Sequence, residues 1–280
     1  MTTDNLHKYF KLFLEEDTGN GDHSSLSCID PLTKGKCALL AKQKGIIAGL
    51  EIVKELFKYS DSTSEIVLNK QDGDVINKGD VVFTITALQQ KLLTTERLAL
   101  NILQRMSGIA TETKRYSDLI HDLKTRILDT RKTTPGFRFF EKEAVRIGGG
   151  FNHRFGLYDM IMLKDNHIDF AGGIEKAIDK ANDYLKNNSI GIAIEIETRS
   201  LEDIERVIKH GGVNRIMFDN FGVDETKKAV QLVSGRFETE SSGGITIENI
   251  RDYALCGVDF ISVGALTHQI RSLDLSLKAV

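Results

Sequence analysis

A repeat of 22 residues in the last third of the chain limits its possible folds more than any other feature. Short apolar runs end at Glu197 (AIEIE), Asp219 (RIMFD), Ser241 (FETES) and Val263 (DFISV), each 22 positions after the one before. Amphipathic segments fill the gaps, Leu201 to His210 and Val223 to Val233 among them. Strand alternating with helix at this pitch predicts parallel βα units. Ser200 and Thr246 stand where helix N-caps belong, and Gly211 and Gly257 stand just beyond helix ends. Two earlier runs, Arg126 to Thr130 (RILDT) and Met160 to Lys164 (MIMLK), join the series, and a helical stretch from Ile174 to Leu185 follows the second. Six or more such units predict a TIM-like α/β barrel, whole or incomplete. A doubly wound sheet is the alternative, because a period does not show closure. In both architectures ligands bind beyond the C-terminal ends of the strands.

Charged residues collect at those ends. The segment Arg131 to Arg154 carries Arg131, Lys132, Arg138, Lys142, Arg146 and Arg154 against Glu141 and Glu143, in a chain whose net charge is -3. Part of this run, Arg138 and Lys142, reads as a solvated helix face. Arg131 and Lys132 follow one strand directly and Lys164 ends the next, so with His153 and Arg154 they predict a cationic pocket for carboxylates or phosphates. Ser241-Ser242-Gly243-Gly244 and Val263-Gly264-Ala265 follow two late strands. Tight turns alone would favour glycine there, but two such loops at neighbouring strand ends predict a phosphate grip. Glu197 and Asp219 each end a strand and could meet at one Mg2+, or could pair with the pocket's own cations. Glu195, two residues before Glu197, shares its side of the strand and is the rival metal ligand. His167 reads as a residue that bonds within its own loop. No P-loop, GxGxxG, GxSxG or HExxH is present.

The first third reads differently. Leu6, Tyr9, Phe10, Phe13 and Leu14 form one face of a helix that docks on the protein's own core. Between Lys36 and Thr86 lie the β-prone runs CALLAKQ, EIVLNK and VVFTIT, separated by turns at Asp72-Gly73 and Lys78-Gly79. The stretch Gln71 to Phe83 has the turn-strand pattern of a biotinyl or lipoyl carrier without the lysine to modify. A long helix from Thr94 to about Leu123 then leads into the barrel. With 280 residues, a barrel plus a small companion domain is favoured. A pI near 6.2 recommends neither nucleic acid nor an anionic membrane as partner. No apolar run reaches a membrane span, and MTTDNLHKYF does not read as a signal peptide, so a cytosolic location is expected. Three cysteines without CxxC spacing are expected to be reduced and buried.

Several strings resemble one family. They are EDTGNGDHSS from Glu16, TERLALNILQRMSGIAT from Thr95, DTRKTTPGFR from Asp129, EKEAVRIGGGFNHRFGLYDMIMLKDNHI from Glu141, MFDNF from Met217, ESSGGI from Glu240 and DFISVGALTH from Asp259. In order and spacing they resemble quinolinate phosphoribosyltransferase, also called carboxylating nicotinate-nucleotide pyrophosphorylase, across nearly the whole chain. The resemblance implies an N-terminal α/β sandwich over residues 1–112, rejoined by a tail at about 270–280, and an incomplete α/β barrel over 113–269. It implies quinolinate and phosphoribosyl pyrophosphate as substrates, Mg2+ as cofactor, and a homodimer, or an assembly of dimers, whose active sites are shared between subunits. By the same resemblance Arg97 would reach across the interface to quinolinate, and Arg131, Lys132, His153, Arg154 and Lys164 would line its site. Glu197 and Asp219 would hold Mg2+ and ribose, while Ser242, Gly243, Gly264 and His268 would take the 5'-phosphate. Lys132, Lys164, Glu197 and Asp219 would be the catalytic set. Arg199, Phe218 and His23 depart from the family's usual residues. A nicotinate-type transferase, a molybdenum-associated paralogue and a non-catalytic anion-binding barrel are the other readings.

Overall fold

The computed structural model of the chain describes residues 3–280. It opens with helices α1 (Thr3–Thr18) and α2 (His23–Cys28), then strands β1 (Lys34–Ala41) and β2 (Gly45–Ile46), helix α3 (Leu50–Ser60) and strands β3 (Glu65–Leu68), β4 (Val75–Ile76) and β5 (Val81–Leu88). The long helix α4 (Gln89–Leu119) follows, then β6 (Arg126–Leu128), α5 (Arg138–Ile147), β7 (Met160–Leu163), α6 (Asp165–Ala171), α7 (Ile174–Asn188) and β8 (Ala193–Thr198). The remainder comprises α8 (Leu201–His210), β9 (Arg215–Asp219), α9 (Val223–Val233), β10 (Glu238–Ser242), α10 (Ile250–Leu255), β11 (Phe260–Ser262), α11 (Ala265–His268) and β12 (Leu275–Ala279). The chain divides into two compact units. One holds the residues up to Glu112 together with Phe139–Gly148 and Ile270–Val280; the other holds Thr113–Arg138 and Gly149–Gln269.

The first unit is built on an antiparallel sheet of order β12-β1-β5-β3. Leu39 of β1 pairs with Leu277 of β12 on one side and Phe83 of β5 on the other, and a register shift follows Leu39. Alternation along these strands buries Leu39, Phe83 and Ile85, and α3 adds Leu56 and Phe57. Phe10 of α1 is buried and lies 5.9 Å, ring to ring, from Tyr59 of α3. Helix α5 departs from expectation. Its segment Phe139–Gly148 belongs to this unit and not to the barrel: Phe140 packs edge-on to Tyr9, and buried Glu141 accepts a 2.8 Å bond from Arg105. Lys142, expected on a solvated face, is buried as well. Helical periodicity gives the angle of an apolar face but not the unit that covers it.

The second unit is a parallel sheet of order β6-β11-β10-β9-β8-β7. Neighbours follow sequence from β7 to β11, and the earliest strand, β6, then pairs with the last, β11. That wrap-around rules out the doubly wound alternative, in which the strand order reverses within an open sheet. On its other side β6 makes only a single bridge, Leu128 to Phe151, so the ring is incomplete between Phe151 and β7. Ser200 caps α8 by accepting the Asp203 N–H at 3.1 Å, as its position predicts. Thr246 does not cap a helix: α10 begins at Ile250, behind Asn249. All three cysteines are free, but Cys28 is exposed and Cys37 and Cys256 are half-buried, so the expected burial is not found.

Candidate active site

Period-two alternation decides what enters the ring. In β8, Ile194 and Ile196 are buried apolar residues, while Glu195 and Glu197 share the opposite side. The register sets Glu195 beside Arg215, Glu197 beside Met217, and Ser242 beside Asp219. The ring's interior therefore carries charge in layers. Its lower layer is closed from solvent, and its upper layer opens into a cavity of about 800 Å³ at the C-terminal ends of the strands.

Eleven of the twelve candidate residues line this one cavity: Arg131, Lys132, His153, Arg154, Lys164, Glu197, Asp219, Ser242, Gly243, Gly264 and His268. The twelfth, Arg97, does not. It lies exposed on α4 in the first unit.

Cations occupy one flank of the cavity. The buried Nε of Arg131 has no acceptor within the protein. Burial, followed by the charge of Arg131, pulls the pKa of Arg154 below the usual guanidinium range. Both observations describe positive charge held out of water, which an incoming anion relieves. Lys164 pairs with Glu197. Contact with one of the pocket's own cations was one of the two readings open for that carboxylate.

Small residues build the other flank. Gly264 has ordinary backbone angles, but a Cβ there would stand 3.0 Å from Lys132 Cδ and 3.1 Å from His268 Nε2. Its bareness lets those two side chains converge. Thr267 Oγ1 donates to the Lys132 carbonyl at 2.7 Å and ties the two loops together. Gly243 has φ +95°, a conformation L side chains rarely adopt. His167 stays in its loop, as expected, accepting the Lys164 N–H through Nδ1 at 3.0 Å.

On the cavity floor, where His153 and Glu195 were anticipated, sequence reasoning missed Glu240 and Arg215. His153 Nε2 lies 2.9 Å from Glu195 and 3.5 Å from Glu240, and Arg215 donates to Glu240 at 2.8 Å. Burial pushes both carboxyls well above the usual range, and their mutual repulsion adds to the rise for Glu240. The available signal was alternation, since Glu240 stands two residues before Ser242 on an inward side. Asn220, Thr130 and Ser262 also line the cavity without having been singled out.

These donor sets test where a divalent cation would fit. Glu197 and Asp219 offer hard oxygen ligands at an open rim, where an ion such as Mg2+ can keep part of its water shell. The trio His153, Glu195 and Glu240 has ligand atoms within 4.8 Å of one another but is buried, includes a nitrogen, and is already neutralised by Arg215. It suits Mg2+ poorly.

Fold and site together define an α/β-barrel protein that handles small polyanions at its strand ends. The profile described as "Quinolinate phosphoribosyl transferase, C-terminal domain" matches residues 109–278, and that of the N-terminal domain matches residues 22–107. A Bacillus subtilis protein named probable nicotinate-nucleotide pyrophosphorylase [carboxylating] is 43% identical over 272 residues, covering 97% of this chain and 92% of its own length. An Arabidopsis thaliana nicotinate-nucleotide pyrophosphorylase [carboxylating], chloroplastic, is 42% identical over 291 residues, covering 99% and 83%. The crystal structure of NadC from Streptococcus pyogenes superimposes with a TM-score of 0.93 at 38% identity, covering 100% of this chain and 99% of that one. The chain belongs to the quinolinate phosphoribosyl transferase family.

Proposed function

We propose that the chain joins quinolinate to the ribose of phosphoribosyl pyrophosphate, giving nicotinate mononucleotide, pyrophosphate and carbon dioxide, the reaction of de novo NAD biosynthesis. One observation carries this reading: Arg131, Lys132, Arg154 and Lys164 share a single cavity with two acidic strand ends and two glycine loops. That is the charge inventory for a dicarboxylate lying beside a phosphorylated sugar.

Arginine forks suit the two carboxylates of quinolinate, so Arg131 and Arg154 orient the ring and aim its nitrogen at C1 of the ribose. As the C–O bond to pyrophosphate breaks, positive charge grows on the ribose. Asp219 and Glu197 stabilise it, while Lys132 and Lys164 stabilise the departing oxygens. Ser242, Gly243, Gly264 and His268 hold the 5'-phosphate end. The ring nitrogen is then cationic and stabilises the electron pair left at C2 when the neighbouring carboxylate departs as carbon dioxide; that pair takes up a proton from water to give nicotinate mononucleotide. Glu197 and Asp219 would hold Mg2+, which when bound supplies charge neutralisation to the diphosphate.

The same proposal includes a homodimer, or an assembly of dimers, in which Arg97 serves the partner's cavity, and a cytosolic location. The three free cysteines fit a reducing compartment. Among the described residues no helix is long and apolar enough to cross a membrane.

The test is to incubate purified protein with Mg2+, phosphoribosyl pyrophosphate and either quinolinate or nicotinate, then to measure nucleotide and carbon dioxide. Turnover of quinolinate with stoichiometric carbon dioxide is expected. Use of nicotinate alone would overturn the reading, and inactivity with both would favour a binding protein.

A further inference from the structure

Asn220 is one of three non-glycine residues with positive φ among the described residues. The other two, Ser189 and Ser234, simply close α7 and α9. Asn220, with φ 60°, sits inside the cavity, directly after the candidate metal ligand Asp219. Asparagine tolerates this conformation better than most residues, so the backbone alone could account for its presence.

Its contacts go further. The side-chain Nδ2 donates to Asp219 Oδ2 at 3.0 Å. The backbone N–H donates to the Ser242 carbonyl at 2.8 Å, the residue that opens the first glycine loop. A Cβ on Gly243 would fall 2.1 Å from Asn220 Oδ1 and 3.0 Å from Asn220 N. One end of the amide thus holds the carboxylate, and the other end lies on the bare α-carbon of the loop.

We propose that Asn220 is a positioning residue for the sugar-diphosphate half of the site: it fixes the rotamer of Asp219 and sets the Gly243 loop against it, so that carboxylate and loop act on one ligand. This inference rests on the reading of the cavity as a phosphoribosyl pyrophosphate site. It predicts selectivity, because Asn220 contacts the acidic end and the loop, whereas the dicarboxylate is assigned to the cations on the other flank.

Two variants separate this role from a purely conformational one. Asn220→Gly keeps positive φ available and removes the amide; Asn220→Asp keeps the shape but replaces the donor with a carboxylate facing Asp219. The expected results for Asn220→Gly are an unchanged melting temperature, an unchanged calorimetric affinity for quinolinate, and affinity for phosphoribosyl pyrophosphate with Mg2+ weaker by about tenfold. Asn220→Asp should weaken the latter at least as much. Equal affinity of Asn220→Gly and wild type for phosphoribosyl pyrophosphate would overturn the role, and so would parallel loss of both substrates. Wild-type protein that binds quinolinate but shows no affinity for phosphoribosyl pyrophosphate would instead defeat the reading of the cavity beneath it.

Discussion

His153 is locked from both sides: its Nε2 lies 2.9 Å from Glu195, and its Nδ1 accepts the Arg154 backbone N–H at 2.7 Å. Both ring nitrogens are engaged within the wall of the cavity, and Glu195 is wholly buried behind them. Glu195→Ala should therefore act on stability before chemistry, since it takes from buried His153 the carboxylate that lies 2.9 Å from its Nε2. A loss on the order of 3 kcal/mol is expected, and clearly less for Glu195→Gln, which keeps the shape and one oxygen. Urea denaturation of the two variants checks this; equal losses would mean that packing, not the polar contact, is what the residue provides.

Glu240 gives a pH dependence with a definite sign. Its ordinary pKa of 4.5 is pushed up to about 8, first by burial and then by Glu195. A carboxyl that is harder to ionise when folded binds more protons in the folded state. Its contribution to stability is therefore full below about 4.5 and is lost as pH rises through about 8. Glu240→Gln cannot ionise, so its stability should decline less than that of the wild type between pH 5 and pH 8, by roughly 1–3 kcal/mol. Parallel melting curves across that range would refute the assignment.

Arg131 brings a buried N–H with no acceptor to the cavity. Arg131→Ala should abolish useful binding of quinolinate, with a loss of roughly 2–3 kcal/mol or more. The fold should remain intact, because no partner is stranded. Calorimetry and circular dichroism measure the two halves of this prediction, and normal affinity would remove Arg131 from the site.

The two cavity glycines should fail differently. In Gly264→Ala the new methyl meets only the movable side chains of Lys132 and His268, so kcat/KM should fall by about tenfold with the melting temperature little changed. In Gly243→Ala the methyl meets Asn220, including its backbone nitrogen, at φ +95°, so stability should fall as well, by roughly 1–2 kcal/mol. Thermal melts beside steady-state kinetics distinguish the two; equal melting temperatures for both variants would contradict the geometry.

If Arg97 serves a partner's cavity, Arg97→Ala and Lys164→Ala should each be inactive alone and complement each other when mixed. Random reassociation rebuilds one intact site in each mixed dimer, or about a quarter of wild-type activity. No recovery after dissociation and remixing would place both residues on the same site or exclude a shared one.

The 22-residue spacing made the barrel strands legible, because inward and outward residues alternate while the helices keep a constant length. It also marked the strand ends, which is why eleven candidate residues converge in one cavity. What stayed hidden depends on contacts distant in sequence. Nothing local to Phe139–Gly148 says that it leaves the barrel for the first unit. Glu195 and Glu240 stand on different strands and become a cluster only when the register sets both near His153. Asn220 reads as an ordinary loop residue until Gly243 is seen packed against it.

Each unit is finished by the strand made last: β6 pairs with β11 in the second, and β1 with β12 in the first. During synthesis, therefore, neither sheet can complete itself as its early strands emerge. β1 and β6 each keep one edge open until the strand that closes it has been made, and that edge is a template on which wrong pairings can form in the meantime.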